Sequence, residues 1–423
     1  MEGLKVIDRF PGGSVTPPPS KSLCHRAVIC AALAARHDGG VSLIENFGRS
    51  EDVDATLGAV RALGLAEAAE EGGVLRVGPP LSPDPRGSSR AVDCGESGST
   101  LRFLIPVAAL SERKTVFTGR GRLLSRLLGV YAEMFSRAGA GFVQEPGRVT
   151  VGGLLRGGSY SLPGGVSSQF VSGLLLALPL LDGDSEIRLS TPLESGRYVD
   201  LTIGVMRRFG VEAESGDSFY SVRGGQRYRP ACYRVEADYS QAAFFLAAAA
   251  LGRDVRVSGL NPGSLQGDRA MLGVMREMGA ETSWDGDAIS VRVDDKGLRG
   301  VTVDAREIPD LVPPIAALCC FCEGESRIVN AGRLRLKESD RLSALASELG
   351  HLGADVAEEG DGLRIIGASR LRGGAADAWG DHRIAMAVAV AAIRCENPVS
   401  LSGSASVNKS YPGFWRDFER GGR

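Results

Sequence analysis

Six stretches of the chain open with polar residues and then run almost wholly apolar. They are SKSLCHRAVICAALAA from Ser20, SGSTLRFLIPVAAL from Ser97, SSQFVSGLLLALPLL from Ser167, YSQAAFFLAAAAL from Tyr239, PDLVPPIAALCCFCEG from Pro309 and DHRIAMAVAVAAI from Asp381. A helix that is apolar around its whole circumference is buried, so the pattern predicts buried helices with polar N-termini. A second pattern recurs between them. An amphipathic helix ends in a small Gly-[Ala/Val/Leu] element, then a strand, a turn and another strand follow. The copies centre on Gly64, Gly139, Gly210, Gly279 and Gly353. Each glycine stands where a helix C-terminus takes the left-handed conformation, and the alternating residues beyond read as a hairpin. The copies recur roughly every 70 residues, too long a period for an ordinary solenoid. The pattern therefore predicts one mixed helix-and-strand folding unit, reused. GPPLSPDPRGSSRAVD reads as a surface loop.

Composition narrows this picture. A chain of 423 residues is long enough for two or more domains. The net charge of −2 provides no overall basic field for nucleic acid or an anionic membrane. The longest apolar runs are too short to span a bilayer, and MEGLKVIDRF has no apolar signal core. These features lead us to expect a cytoplasmic protein. Cys24, Cys30, Cys319, Cys320 and Cys322 lie in apolar stretches, which predicts reduced, buried thiols acting as small hydrophobes. CCFC lacks a partner pair at zinc-site spacing.

The polar heads of the buried helices carry the candidate chemistry. A helix N-terminus offers free N–H groups and positive potential, so it receives anions. Lysine or arginine there is unfavourable by a few tenths to about 1 kcal/mol unless a negative group offsets it. Yet Lys21 and Arg26 stand beside Ser20 and Ser22, Arg102 follows the Gly98 turn, and Arg383 follows Asp381. Ser167, Ser168 and Gln169 follow two glycines. In RLRLKESDRL, Lys337 and Arg341 are four apart, which on a helix puts them on one face, with Glu338 between. Asp310 precedes another apolar run, and Lys409 lies in a turn near the end. Any one of these is explained by capping or solvation. The set predicts a shared site for a strongly anionic small molecule. Neither a P-loop nor a dinucleotide fingerprint is present in the sequence, and His, Cys and Asp do not cluster at metal spacing. The expected chemistry uses no cofactor and no metal.

PSKSLCHR, SGSTLRF, VSSQF, IPDL, KESDR, DHRIAMA and NKSYPGF occur in the order seen in the 3-phosphoshikimate 1-carboxyvinyltransferase (EPSP synthase) family of enolpyruvyl transferases, which the chain resembles over nearly its whole length. SGSTLRF departs from the commoner family form, Asn-Ala-Gly-Thr. The resemblance implies an α/β (α+β) fold of two domains, each of three βαβαββ repeats with buried parallel helices. It implies a discontinuous domain of residues 1–17 plus 237–423 and an inserted domain of residues 18–236, with the sixth repeat completed at the chain ends. It implies domain closure on substrate and a monomer. The implied reaction moves the enolpyruvyl group of phosphoenolpyruvate to the 5-hydroxyl of shikimate 3-phosphate, releasing phosphate, on the chorismate route to aromatic amino acids.

Carried over by motif, Lys21, Ser22, Arg26, Ser167, Ser168, Gln169, Ser195, Tyr198, Asp310 and Lys337 resemble shikimate 3-phosphate contacts. Lys21, Gly98, Arg126, Gln169, Arg341, Arg383 and Lys409 resemble the phosphoenolpyruvate site. Arg120 and Arg122 compete with Arg126 for that match. Arg333 stands where the family often has Asn. Asp310 is the implied base for the attacking hydroxyl, and Glu338 with Lys337 the implied proton source for the enol carbon, by way of a tetrahedral intermediate. Lys21 faces both ligands. Gly98 is the implied small residue that leaves glyphosate room beside phosphoenolpyruvate. The sister transferase acting on UDP-N-acetylglucosamine uses a loop cysteine, and the segment after FTGRGR has none. A non-enzymatic anion binder would not place Asp310 and Glu338 among its cations.

Overall fold

The structure, a computed structural model, describes residues 4–8, 10–81, 89–125 and 128–420. The chain divides into two compact units, one of Pro19–Val235 and one of Met1–Pro18 with Glu236–Arg423.

The unit of residues 19–235 holds helices α1 (Lys21–Asp38), α2 (Glu51–Ala62), α3 (Gly98–Ala108), α4 (Gly129–Ala138), α5 (Ser168–Ala177) and α6 (Arg197–Arg208). Its repeat is plainest in the middle. Strand Ser89–Asp93 runs parallel to Lys114–Thr118, in register from Ser89 opposite Lys114 to Asp93 opposite Thr118. The crossover between them is the buried α3. The amphipathic α4 then leads into the hairpin Gly141–Glu145 and Arg148–Gly152, whose second strand pairs antiparallel with Lys114–Thr118. The order is βαβαββ. The sheet built on Ser159–Leu162 repeats it with α5 and α6. The sheet of Ser42–Glu45, Val74–Gly78 and Glu67–Glu71 obtains its parallel strand, Cys232–Arg234, from the far end of the unit.

The other unit holds α7 (Tyr239–Ala250), α8 (Met271–Glu277), α9 (Val312–Cys319), α10 (Arg341–His351), α11 (His382–Ala392) and α12 (Phe414–Arg420). Two of its sheets follow the same four-stranded plan, and the third has three strands among the described residues. Gly13–Val15 supplies the parallel strand beside Val255–Val257. Lys5–Ile7 pairs antiparallel with Val399–Ser402, so the N-terminal strand completes the sheet that begins at Gly374–Asp377.

The apolar runs do become the buried crossover helices. Every residue of α7, α9 and α11 is buried. The exceptions in α3 are Gly98, Ser99 and Arg102, and in α5 Gln169. All four lie in the first turns, so the heads are the wet ends. The amphipathic helices close at the expected glycines, whose φ angles are 65° (Gly64), 72° (Gly139), 81° (Gly210), 98° (Gly279) and 100° (Gly353). A side chain rarely adopts such angles, which is why glycine recurs there. Each unit packs its own hydrophobic core. All eight cysteines are free thiols, and the five in apolar stretches are buried. Burial pushes the Cys30 thiol well above its ordinary value. Among the described residues, no helix is long and apolar enough to cross a membrane.

Candidate active site

In the unit of residues 19–235 the helix heads are stitched to one another by polar side chains. Lys21 Nζ, at the start of α1, lies 2.7 Å from Asp52 Oδ2 in the first turn of α2. Asp52 is the negative group that offsets a cation at a helix head. Arg26, one turn on, is 2% exposed and pairs with no carboxylate among the described residues. Its Nε donates to Thr202 Oγ1 at 2.7 Å, its Nη1 to the Ser22 carbonyl at 2.7 Å and its Nη2 to the Tyr198 carbonyl at 2.9 Å. The guanidinium also lies 4.8 Å from the centre of the Phe103 ring. Burial lowers its pKa to about 10, so it remains charged. These bonds fix Ser22 and Tyr198 relative to each other across α1 and α6.

α3 and α5 meet in the same way. Arg102 Nη1 donates to Gln169 Oε1 at 2.7 Å, and Gln169 Nε2 donates to Ser99 Oγ at 3.0 Å. Ser97 and Ser167 cap the two helices through the N–H groups of Thr100 and Gln169. Ser195, with φ 59°, sits in a left-handed turn just before α6 and is buried. None of α1, α3 and α5 has an acidic residue in its first turn. Their positive dipole ends, with the first-turn N–H groups that Ser97 and Ser167 do not take, suit an anion. Ser22, Gly98, Ser167, Gln169 and Tyr198 are partly exposed around these heads, and Ser168 is buried.

The other unit gathers opposite charges. Arg341, with a side chain 2% exposed, reaches three carboxylates: Asp381 (Nε to Oδ2, 2.8 Å), Glu338 (Nη2 to Oε2, 2.8 Å) and Asp310 (Nη1 to Oδ1, 3.0 Å). Arg383 Nη2 lies 3.2 Å from Asp310 Oδ2, and its Nη1 donates to the Asp310 carbonyl at 2.8 Å. Lys337 Nζ lies 3.5 Å from Asp310 Oδ1, and Lys409 Nζ lies 3.9 Å from Glu338 Oε1. Burial alone would raise the Asp310 pKa. Arg383, Lys337 and Arg341 outweigh it and hold the carboxyl well below its usual range. Burial lowers the Lys337 pKa against the pull of Asp310. Burial likewise works against Arg341, but Asp381, Glu338 and Asp310 raise its pKa above the ordinary arginine value. Asp268 is raised to about 6, first by burial and then by Asp310. Four cations thus face three carboxylates and a fourth acid that sheds its charge readily. The excess suits an anionic ligand, and the paired acids suit proton transfer.

One expectation needs correcting. Lys337 and Arg341 do not share a helical face, because Lys337 ends a 3-10 turn in an extended conformation and α10 begins only at Arg341, capped by Asp340. They meet instead on Asp310. Arg126 lies outside the described residues, and its rivals Arg120 and Arg122 are exposed. Arg333 donates to the Arg306 carbonyl at 2.7 Å. Sequence reasoning missed Asp52 and Asp268 as site members, and missed Asp381 as the anchor of Arg341. The acidic first turn of α2, Ser50-Glu51-Asp52, was the available signal for Asp52.

Buried helix heads rich in cations and hydroxyls in one unit, and an acid–base cluster at the helix heads of the other, define an enzyme for small anionic substrates. The model of the family EPSP synthase (3-phosphoshikimate 1-carboxyvinyltransferase) matches residues 11–418. The chain is 44% identical to the 3-phosphoshikimate 1-carboxyvinyltransferase of Clostridium novyi (strain NT), covering 100% of this chain and 98% of that one. It is 43% identical to the enzyme of that name from Clostridium acetobutylicum, over 99% and 97% of the two chains. The solved structure of EPSP synthase from Acinetobacter baumannii superposes with a TM-score of 0.79 at 26% identity, covering 100% of this chain and 98% of that one. The chain belongs to the EPSP synthase family.

Proposed function

We propose that this chain is a 3-phosphoshikimate 1-carboxyvinyltransferase. It moves the carboxyvinyl group of phosphoenolpyruvate to the 5-hydroxyl of shikimate 3-phosphate and releases phosphate. The observation that carries this reading is the Asp310 carboxylate held by Arg341, Arg383 and Lys337, in a chain of this family.

Both substrates are small polyanions, and each unit offers cations to them. Ser22, Ser167, Ser168, Ser195 and Tyr198 serve shikimate 3-phosphate, and Arg26 holds their frame. Lys21 and Gln169 reach both substrates. Gly98, Arg341, Arg383 and Lys409 serve phosphoenolpyruvate, as does Arg126.

Asp310 takes the proton of the attacking hydroxyl. Its low pKa in the free protein comes from the cations around it. When those cations turn to a bound phosphate or carboxylate, Asp310 loses their support and becomes a stronger base. Glu338 and Lys337 deliver a proton to the enol carbon. The Glu338–Lys337 pair then takes a proton back from the methyl group of the tetrahedral intermediate as its C–O bond to phosphate breaks, which restores the vinyl group. Arg341 and Arg383 meet the developing phosphate charge with fixed positive charge. The reading carries with it a cytoplasmic location and a monomeric protein. Purified protein mixed with both substrates releases phosphate, and omission of either substrate abolishes release. Release with UDP-N-acetylglucosamine as the acceptor, and none with shikimate 3-phosphate, would reassign the substrate.

A further inference from the structure

Beneath the heads of α1, α2 and α3 runs a buried string of hydroxyls to which the reaction assigns no task. His25 Nδ1 lies 2.7 Å from Thr56 Oγ1, which lies 2.6 Å from Thr100 Oγ1. Thr100 Oγ1 donates to Ser97 Oγ at 2.7 Å. All four residues are fully buried. His25 belongs to α1, Thr56 to α2 and Thr100 to α3, so three separate segments are tied at one depth.

The protons along the string can be assigned. His25 Nε2 has no hydrogen-bond partner among the described residues. An unpaired buried acceptor is more tolerable than an unpaired N–H, so the ring proton belongs on Nδ1. Nδ1–H then donates to Thr56, Thr56 to Thr100 and Thr100 to Ser97. Thr100 shares its single proton between Ser97 Oγ and the Asp52 carbonyl, and bonds aligned in one direction strengthen one another. Burial, more than the nearby Lys21 and Arg26 and against the pull of Asp52, lowers the His25 pKa to about 3. The ring therefore stays neutral through the physiological range.

The string approaches residues assigned to substrate at two points, Ser97 and Thr100. Ser97, which also accepts the Thr100 N–H at 3.2 Å, immediately precedes Gly98. The carbonyl of Asp52 lies 3.3 Å from Thr100 Oγ1, while its carboxylate holds Lys21. We propose that the Thr56–Thr100–Ser97 string is a positioning device that keeps Gly98 in register with Lys21 for phosphoenolpyruvate, with Thr100 as its central residue. The proposal rests on the substrate reading above. Of the shikimate 3-phosphate contacts, Ser22 and Tyr198 hang on a different set of bonds, those from Arg26, which also reaches Thr202.

The test compares Thr100→Val, which keeps the shape and removes the hydroxyl, with Thr100→Ser, which restores it. Thr56→Val breaks the same string one link away if Thr100→Val does not fold. Steady-state kinetics give the KM for each substrate. Amide hydrogen exchange on the unliganded protein reports on the head of α3 independently of any reaction. Loss of a buried hydroxyl link raises the KM for phosphoenolpyruvate about five- to tenfold, leaves that for shikimate 3-phosphate within about twofold, and speeds exchange at residues 97–101. Thr100→Ser returns all three towards wild type. A valine variant with wild-type KM and wild-type exchange, whatever its melting temperature, overturns the proposal. If the wild-type protein turns over neither substrate, the substrate reading fails. Exchange then decides alone whether the string fixes the head: faster exchange at residues 97–101 supports it and unchanged exchange overturns it.

Discussion

The guanidinium of Arg341 holds the carboxylate of Asp381 with two nitrogens, Nε to Oδ2 at 2.8 Å and Nη2 to Oδ1 at 3.3 Å, although the residues are 40 apart in the chain. Asp381 is fully buried and also receives the backbone N–H of Arg383 at 2.9 Å. One carboxylate thereby orients both arginines of the cluster. Lysine keeps the charge of Arg341 but cannot reach Asp381, Asp310 and Glu338 together. Arg341→Lys leaves buried carboxylates short of partners and costs about 3 kcal/mol of stability. Denaturant melts measure this, and kcat falls at least about a hundredfold in the same variant as the electrostatic support of the departing phosphate is lost.

Asp310 is the proposed base. Asp310→Asn keeps the size and removes the proton acceptor, so kcat falls by about 10²- to 10⁴-fold. The substrate KM values change much less. Steady-state kinetics check this, and a kcat within tenfold of wild type would remove Asp310 from the role.

The helix heads were legible in the sequence because burial and polarity are local signals. The apolar runs marked the buried crossovers, and five glycines marked where amphipathic helices close. Long-range pairing was not legible. Lys21 meets Asp52 31 residues away, and Arg26 meets Thr202 176 residues away. Sequence position shows that a cation stands at a helix head but not which acid faces it. Lys337 and Arg341 show the converse error. Their four-residue spacing would share one face on a helix, but Asp340 caps α10 between them and the helix begins only at Arg341.

Lys21 carries the first cation of the chain's first buried helix. Its side chain is 19% exposed against Asp52 at 8%, so the pair stands at the wet end of α1. Lys21→Met removes a charged hydrogen bond to substrate and lowers kcat/KM at least about a hundredfold. The fold survives, at a cost of about 1–2 kcal/mol for the lost pair with Asp52. Kinetics and thermal melts on the same preparation separate the two effects.

His25 sets a direction for the pH dependence of stability. Its pKa falls from 6.5 unfolded to about 3 folded, because burial disfavours the imidazolium. Between those values the unfolded chain binds the extra proton, so acid favours unfolding. The contribution is fully present above about pH 6.5 and is lost at about 1.4 kcal/mol per pH unit as the pH falls towards 3. Urea melts from pH 7 to pH 4.5 measure the slope. His25→Gln makes it shallower by about one proton.

Phosphorus NMR of the purified protein with phosphoenolpyruvate and shikimate 3-phosphate follows both phosphates at once. The account predicts that the phosphoenolpyruvate signal gives way to inorganic phosphate only when both compounds are present, while the phosphate of shikimate 3-phosphate stays esterified throughout. Spectra that do not change, or phosphate released from shikimate 3-phosphate itself, would contradict it.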